Sequence, residues 1–101
     1  MTREQILKTI NTRIEHLILY RDILEHDNNM CFVLTFVIGC LQDKVRFYEE
    51  YKKSKEYIIN DLKVEARITR DGMKDYEEGT QDYKCFDSCA YAFELLAEYC
   101  Q

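Results

Sequence analysis

The amino-acid sequence predicts an all-α protein, on three grounds. Its 101 residues include no proline and only three glycines, so the turn punctuation that an all-β domain needs is missing. Apolar residues recur at three- and four-residue spacing over long stretches, the period of an amphipathic helix. The composition, 47% hydrophobic and 33% charged, lets a chain bury a core and keep a hydrated surface. The length fits a single helical domain over residues 1–101. The expected architecture is three long helices, about 2–26, 30–70 and 81–100, in a bundle completed by dimerisation. The alternative is an up-down four-helix bundle in which the central helix breaks near 52–56.

The first helix opens at a capping box, Thr2-Arg3-Glu4-Gln5, in which the Thr2 hydroxyl and the Gln5 amide satisfy backbone donors. Ile6, Leu7, Ile10, Ile14, Leu17, Ile18 and Leu24 then share an arc of roughly 120°. Arg3 and Arg21 fall inside that arc and do not fit it. Leu19 and Ile23, with His16 and His26 near them, form a second apolar patch on the opposite side. That patch reads either as scattered surface apolarity or as a surface for a partner. Asp27-Asn28-Asn29 ends the helix, with one of the asparagines a candidate cap for the next.

The stretch "MCFVLTFVIGCL", Met30 to Leu41, is apolar except at Thr35 and Gly39. It is shorter than the roughly 20 residues that span a bilayer, and no other segment offers a strand to pair with it, so it reads as helix. Val33, Val37, Leu41, Tyr48, Tyr51, Ile59, Leu62 and Ala66 keep one phase within an arc of about 80°. Between Cys40 and Asp71 there is no glycine or proline. One helix from 30 to 70, roughly 60 Å long, is the simplest reading, with "KKSKE" at Lys52–Glu56 as its weak point. Neither flanking helix could cover such a helix along its whole length, so the all-round apolar segment asks for a second subunit or another target. Asp71-Gly72 reads as the helix stop, with Gly72 in the left-handed position, and Thr80 or Asp82 as the cap of the last helix.

Three of the five cysteines lie in "YKCFDSCAYAFELLAEYC", Tyr83 to Cys100. Cys85, Cys89 and Cys100 project with Phe86, Phe93 and Leu96 into one arc of about 100°, which reads as a packing face. Cys85 and Cys89, four apart, could both reach one zinc ion, and a small thiol- or zinc-containing regulatory protein is the alternative function. A closed site would need two more ligands, and neither a Cys-x-x-Cys spacing nor a neighbouring histidine supplies them. No metal or cofactor is therefore expected. A cysteine nucleophile would need a base, and His16 and His26 are the only histidines. No Gly-rich loop or nucleophile elbow suggests an enzyme.

The formal charge is −5, which argues against direct binding of nucleic acid. Lys44, Arg46, Lys52, Lys53 and Lys55, interleaved with Phe47, Tyr48 and Tyr51, scatter around a helix instead of lining one face. Asp87, Glu94 and Glu98 form an acidic stripe on the last helix, and Tyr57 and Tyr91 fall off the apolar stripes of theirs. Tyrosine is enriched at protein interfaces because it adds rigid area with a polar tip. An odd number of cysteines without a short-loop framework, and a charged N-terminus that already reads as helix, point to a reducing cytoplasm, with no membrane span and no targeting segment. The length, acidity and lack of motif resemble those of small phage or mobile-element proteins that inhibit host factors, a likeness of size and charge. The function expected is a non-enzymatic helical module, a homodimer, that binds and modulates a partner protein through Leu19, Ile23, Tyr57, Tyr91, Asp87, Glu94 and Glu98.

Overall fold

The computed structural model describes residues 1–24 and 26–101. The chain forms α1 (Arg3–Ile23), α2 (Asn28–Glu50), α3 (Lys55–Met73) and α4 (Gln81–Cys100). Each N-terminus is capped by a side chain that accepts from a backbone N–H three residues on: Thr2 from Gln5, Asp27 from Met30, Ser54 from Tyr57 and Thr80 from Tyr83. At α1 the full capping box forms. The cap of α2 is Asp27, not one of the asparagines beside it. The helix expected over 2–26 ends earlier, at Ile23 with Leu24 as its cap, and Glu25 lies outside the described residues.

The predicted continuous helix over 30–70 is corrected by a turn at Tyr51–Ser54. Lys52 takes a left-handed backbone, φ 48°. The Lys53 N–H donates to the Tyr48 carbonyl at 3.0 Å and the Lys52 N–H to that of Glu49 at 3.4 Å. This is a Schellman motif with lysine where glycine is usual. Two features complete the stop. Ser54 caps the helix that follows, and Arg3 reaches across from α1 to the same turn. Its Nη2 donates to the Tyr48 carbonyl at 2.9 Å and its Nε to the Lys53 carbonyl at 2.5 Å. An arginine that seemed misplaced in an apolar arc is thus a tertiary cap on the C-terminus of α2, where a cation also meets the negative end of the helix dipole. The Lys55 ammonium adds a 3.4 Å bond to the Met1 carbonyl.

With that turn the helices run antiparallel in sequence. The N-terminal end of α1 meets the C-terminal end of α2 through Arg3, while Arg21 meets Thr35. Lys44 and Cys40 of α2 meet Asp61 and Glu65 of α3 in descending order, and Arg70 of α3 meets Asp87 and Glu94 of α4. The four helices form two hairpins, α1/α2 and α3/α4, that stack with α2 close against α4. The extents are 39 × 30 × 21 Å, so the bundle is flattened.

Buried in the centre are Ile6, Ile10, Val37, Leu41, Tyr48, Ile58, Leu62, Phe93 and Cys100, drawn from all four helices. Val33, Leu34, Val37, Ile38 and Leu41 are buried by the chain's own helices. Most of Met30–Leu41 is therefore covered without a second subunit or another target, while Phe32 and Phe36 of the same segment stay exposed. The expectation that it needs one rested on a helix nearly twice as long as α2.

Gly72 is also corrected. It lies inside α3, which runs on to Met73, and the left-handed glycine of this turn is Gly79, φ 90°. A Cβ at Gly72 would stand 3.1 Å from Cε1 of Phe86, so its role is a close approach of α3 to α4. Gly39 is different: a Cβ there would meet nothing within 4 Å. Glycine inside a helix costs roughly 0.5–1 kcal/mol relative to alanine, and no contact within the chain accounts for that loss at Gly39. Among the described residues no helix is long and apolar enough to cross a membrane.

Candidate functional site

Three surfaces and one polar seam have the composition of functional sites. The seam joins α2 to α3. The Tyr48 hydroxyl, on a fully buried side chain, donates to Asp61 Oδ2 at 2.5 Å, and Lys44 Nζ donates to the same oxygen at 2.9 Å. Lys44 also pairs with Glu65 at 3.4 Å, and the Cys40 thiol donates to Glu65 at 3.6 Å. Burial, with Glu65 beside it, pushes the Cys40 thiol up to about 12. Burial, with the hydrogen bond to Asp61, pushes the Tyr48 hydroxyl well above the usual phenol range. Burial opposes the charge of Lys44, but the bond to Asp61 and the charges of Asp61 and Glu65 outweigh it and raise its pKa. Cys40, Lys44 and Tyr48 each hold their proton more tightly than in water, so the Cys40 thiol stays protonated at neutral pH.

The cysteines of α4 take the place that their projection gave them. Cys89 and Cys100 are buried with Phe93, Leu96 and Ala97, and Cys85 packs against them half-buried. Burial pushes the Cys89 thiol up to about 11 and raises that of Cys100. Among the described residues no group of three or more His, Cys, Asp or Glu is placed to hold a metal.

The first of the three surfaces is the outer face of α1, where Leu19 is 60% and Ile23 74% exposed. The second is a groove of about 490 Å³ between α3 and α4. Lys63, Arg67 and Arg70 line one wall and Tyr91, Glu94 and Glu98 the other. Asp87 and Glu94 are not free acids, because Arg70 donates to Asp87 at 3.0 Å and also pairs with Glu94. Of the expected stripe, Glu98 forms no ion pair among the described residues. The groove is therefore mixed in charge, with Tyr91 exposed at its rim.

The third surface lies over α2 and α3, and sequence reasoning picked out only Tyr57 from it. Phe32 (65% exposed) and Phe36 (47%) stand on the outer side of α2, with Thr35 and Gly39 between and after them. Cys40 meets Glu65. Phe36, one turn before Cys40, and Ile68 (60% exposed), one turn after Glu65, thus sit at one level of the seam. At the other end Phe47 packs on Tyr51 and Tyr57, with ring centroids 4.9 and 6.4 Å away. Lys53 Nζ sits 4.5 Å above the Tyr57 ring. Phe32, Phe36 and Ile68 at one end and Phe47, Tyr51 and Tyr57 at the other together expose roughly 600 Å², in two apolar clusters with the Lys44–Asp61–Glu65 seam between them. The basic residues of this region each have a different neighbour: Arg46 pairs with Asp43, Lys44 with Asp61, and Lys55 with Met1. Compared with family models, curated proteins and solved structures, the chain matches none.

Proposed function

We propose that the protein is a non-enzymatic helical interaction module that binds a partner protein and modulates it, inhibition being the form of modulation favoured by its size and acidity. The observation that carries this reading is the amount of apolar surface a chain of 101 residues leaves outside its core. Leu19 and Ile23 stand out on α1, Tyr91 rims the α3/α4 groove, and two apolar clusters on α2 and α3 together expose roughly 600 Å². Aromatic residues anchored on rigid helices are the usual carriers of binding energy at interfaces. The partner surface proposed is Leu19 and Ile23 on α1 together with Tyr91, Asp87, Glu94 and Glu98 along α4, with Tyr57 on the separate α2/α3 face. The module is read as cytoplasmic, where its five unpaired cysteines stay reduced.

Affinity capture from an extract of the native host, with mass spectrometry, tests this. A partner retained in stoichiometric amount, lost for Leu19→Glu/Ile23→Glu or for Tyr91→Ala/Glu98→Lys, and inhibited when the purified module is added back, supports the proposal. Retention of nothing, or retention that neither pair of exposed substitutions changes, rejects it.

A further inference from the structure

We infer that the α2/α3 face binds a second copy of this chain, antiparallel, with the two α2 helices crossing at Gly39. The inference rests on the interaction-module reading in taking exposed apolar side chains as contact surface, and it gives the α2/α3 face, Tyr57 included, to the second copy, which leaves the surfaces of α1 and α4 to the partner protein. Four observations converge on it. Gly39 is the midpoint of α2 (Asn28–Glu50) and faces open space. It weakens its own helix without a contact inside the chain, as expected of a residue that lets another backbone come close.

One pair of exposed aromatic side chains is placed symmetrically about that point. Phe32 lies seven residues before Gly39, and Phe47 lies seven after Cys40. A two-fold axis between Gly39 and Cys40 therefore lays Phe32 of each copy against Phe47 of the other, an isologous contact. The face exposes roughly three-quarters of the ~800 Å² that each partner buries in a standard interface.

Charge selects the antiparallel direction. At the α2/α3 turn Lys52, Lys53 and Lys55 are balanced by Glu49, Glu50 and Glu56, while at the opposite pole Asp75, Glu77, Glu78 and Asp82 outnumber Lys74 and Lys84. Antiparallel pairing sets the acidic pole of each copy beside the charge-balanced pole of the other, whereas parallel pairing would oppose the two acidic poles. Asp43, already paired with Arg46 at 3.3 Å, then lies beside the partner's apolar stretch instead of the same carboxylate.

Sedimentation of the purified full chain from about 1 to 100 μM tests the inference. The expected species has the mass of two 12.2 kDa chains. Phe36→Glu should weaken association about 30-fold, the loss of one central anchor. Gly39→Ala, which improves the helix and meets no atom of its own chain, should raise the melting temperature of the dilute monomer and weaken the dimer about tenfold. Leu19→Glu, on the outer face of α1, should leave the dimer unchanged. A monomer at 100 μM, a dimer indifferent to both Phe36→Glu and Gly39→Ala, or one abolished by Leu19→Glu overturns the inference. A chain that captures a foreign partner while remaining monomeric refutes the dimer and leaves the module. A dimer that captures nothing does the reverse.

Discussion

Replacing Lys52 by glycine distinguishes the two architectures compatible with the sequence by the sign of one number. In a continuous central helix, glycine at position 52 would lose roughly 1 kcal/mol of stability. In the structure Lys52 sits at φ 48°, where a residue with a Cβ pays roughly 1–2 kcal/mol. Its side chain is exposed. Glycine removes the steric penalty and gives back part of the gain, roughly 0.5–1 kcal/mol, through the greater freedom of the unfolded chain. The net expectation is a stabilisation of about 0.5–1 kcal/mol. With a urea m-value of ~1–3 kcal/mol/M, the unfolding midpoint followed by far-UV circular dichroism should rise by about 0.3–0.5 M. Lys52→Ala is the control: it keeps the Cβ, and with it the left-handed penalty, so its midpoint should stay within about 0.2 M of the parent. A lower midpoint for the glycine variant, with a gain for alanine, would mean that the chain does not turn here.

Two further outcomes follow from the same geometry. Arg3→Ala removes both bonds to the Tyr48 and Lys53 carbonyls. It should destabilise by about 1–2 kcal/mol at an unchanged m-value, with Arg3→Lys recovering less than half because it lacks the fork; a loss below about 0.5 kcal/mol would reject the cap. The pH dependence has a definite sign. The folded Cys40 and Cys89 thiols hold their protons up to about 12 and about 11, against 9.0 when unfolded. Above pH 9 the unfolded chain therefore binds fewer protons and is favoured. Urea midpoints should be flat in this contribution below pH 9 and fall as pH rises from there towards 11. The double variant Cys40→Ala/Cys89→Ala should show a shallower fall; an equal slope would assign the loss to other groups.

Local signals carried much of the fold into the sequence. The capping box at Thr2, the cap at Thr80, the stripe of α1 up to Ile18 and the face of α4 are set by residues three or four apart and are found where their spacing puts them, whereas Leu24 lies past the end of α1 and is exposed. The turn at Tyr51–Ser54 falls at the weak point named by the alternative four-helix reading, but nothing local favoured it over a continuous helix, because lysine, not glycine, takes the left-handed position and its cap comes from Arg3, 45 residues before Tyr48. Gly72 carried the usual mark of a helix end but serves a close contact with Phe86, which only the register of α3 on α4 reveals. The same holds for the acidic stripe: that Arg70 takes both Asp87 and Glu94 depends on which turn of α3 faces them. Phe32, Phe36 and Ile68 were within reach. Ending α2 at Glu50 leaves Phe32, Phe36, Gly39 and Asp43 together on one side of its projection, opposite the buried Leu41.

The seam between α2 and α3 bears on why this bundle has one packing and not several. Its core is largely aliphatic, and Ile, Leu and Val at helical spacing can interdigitate nearly as well after a slip of one turn. Asp61 removes that freedom. It accepts from Tyr48 and Lys44, four residues apart on α2, like a bolt between two prongs. Sliding α3 by one turn would free one prong and leave the buried Tyr48 hydroxyl unmatched, at a cost of about 1–3 kcal/mol, before the loss of the Lys44–Glu65 pair is counted. The polar contacts thus act less as glue than as a key, which admits one translation of the α3/α4 hairpin along α2 and excludes its neighbours.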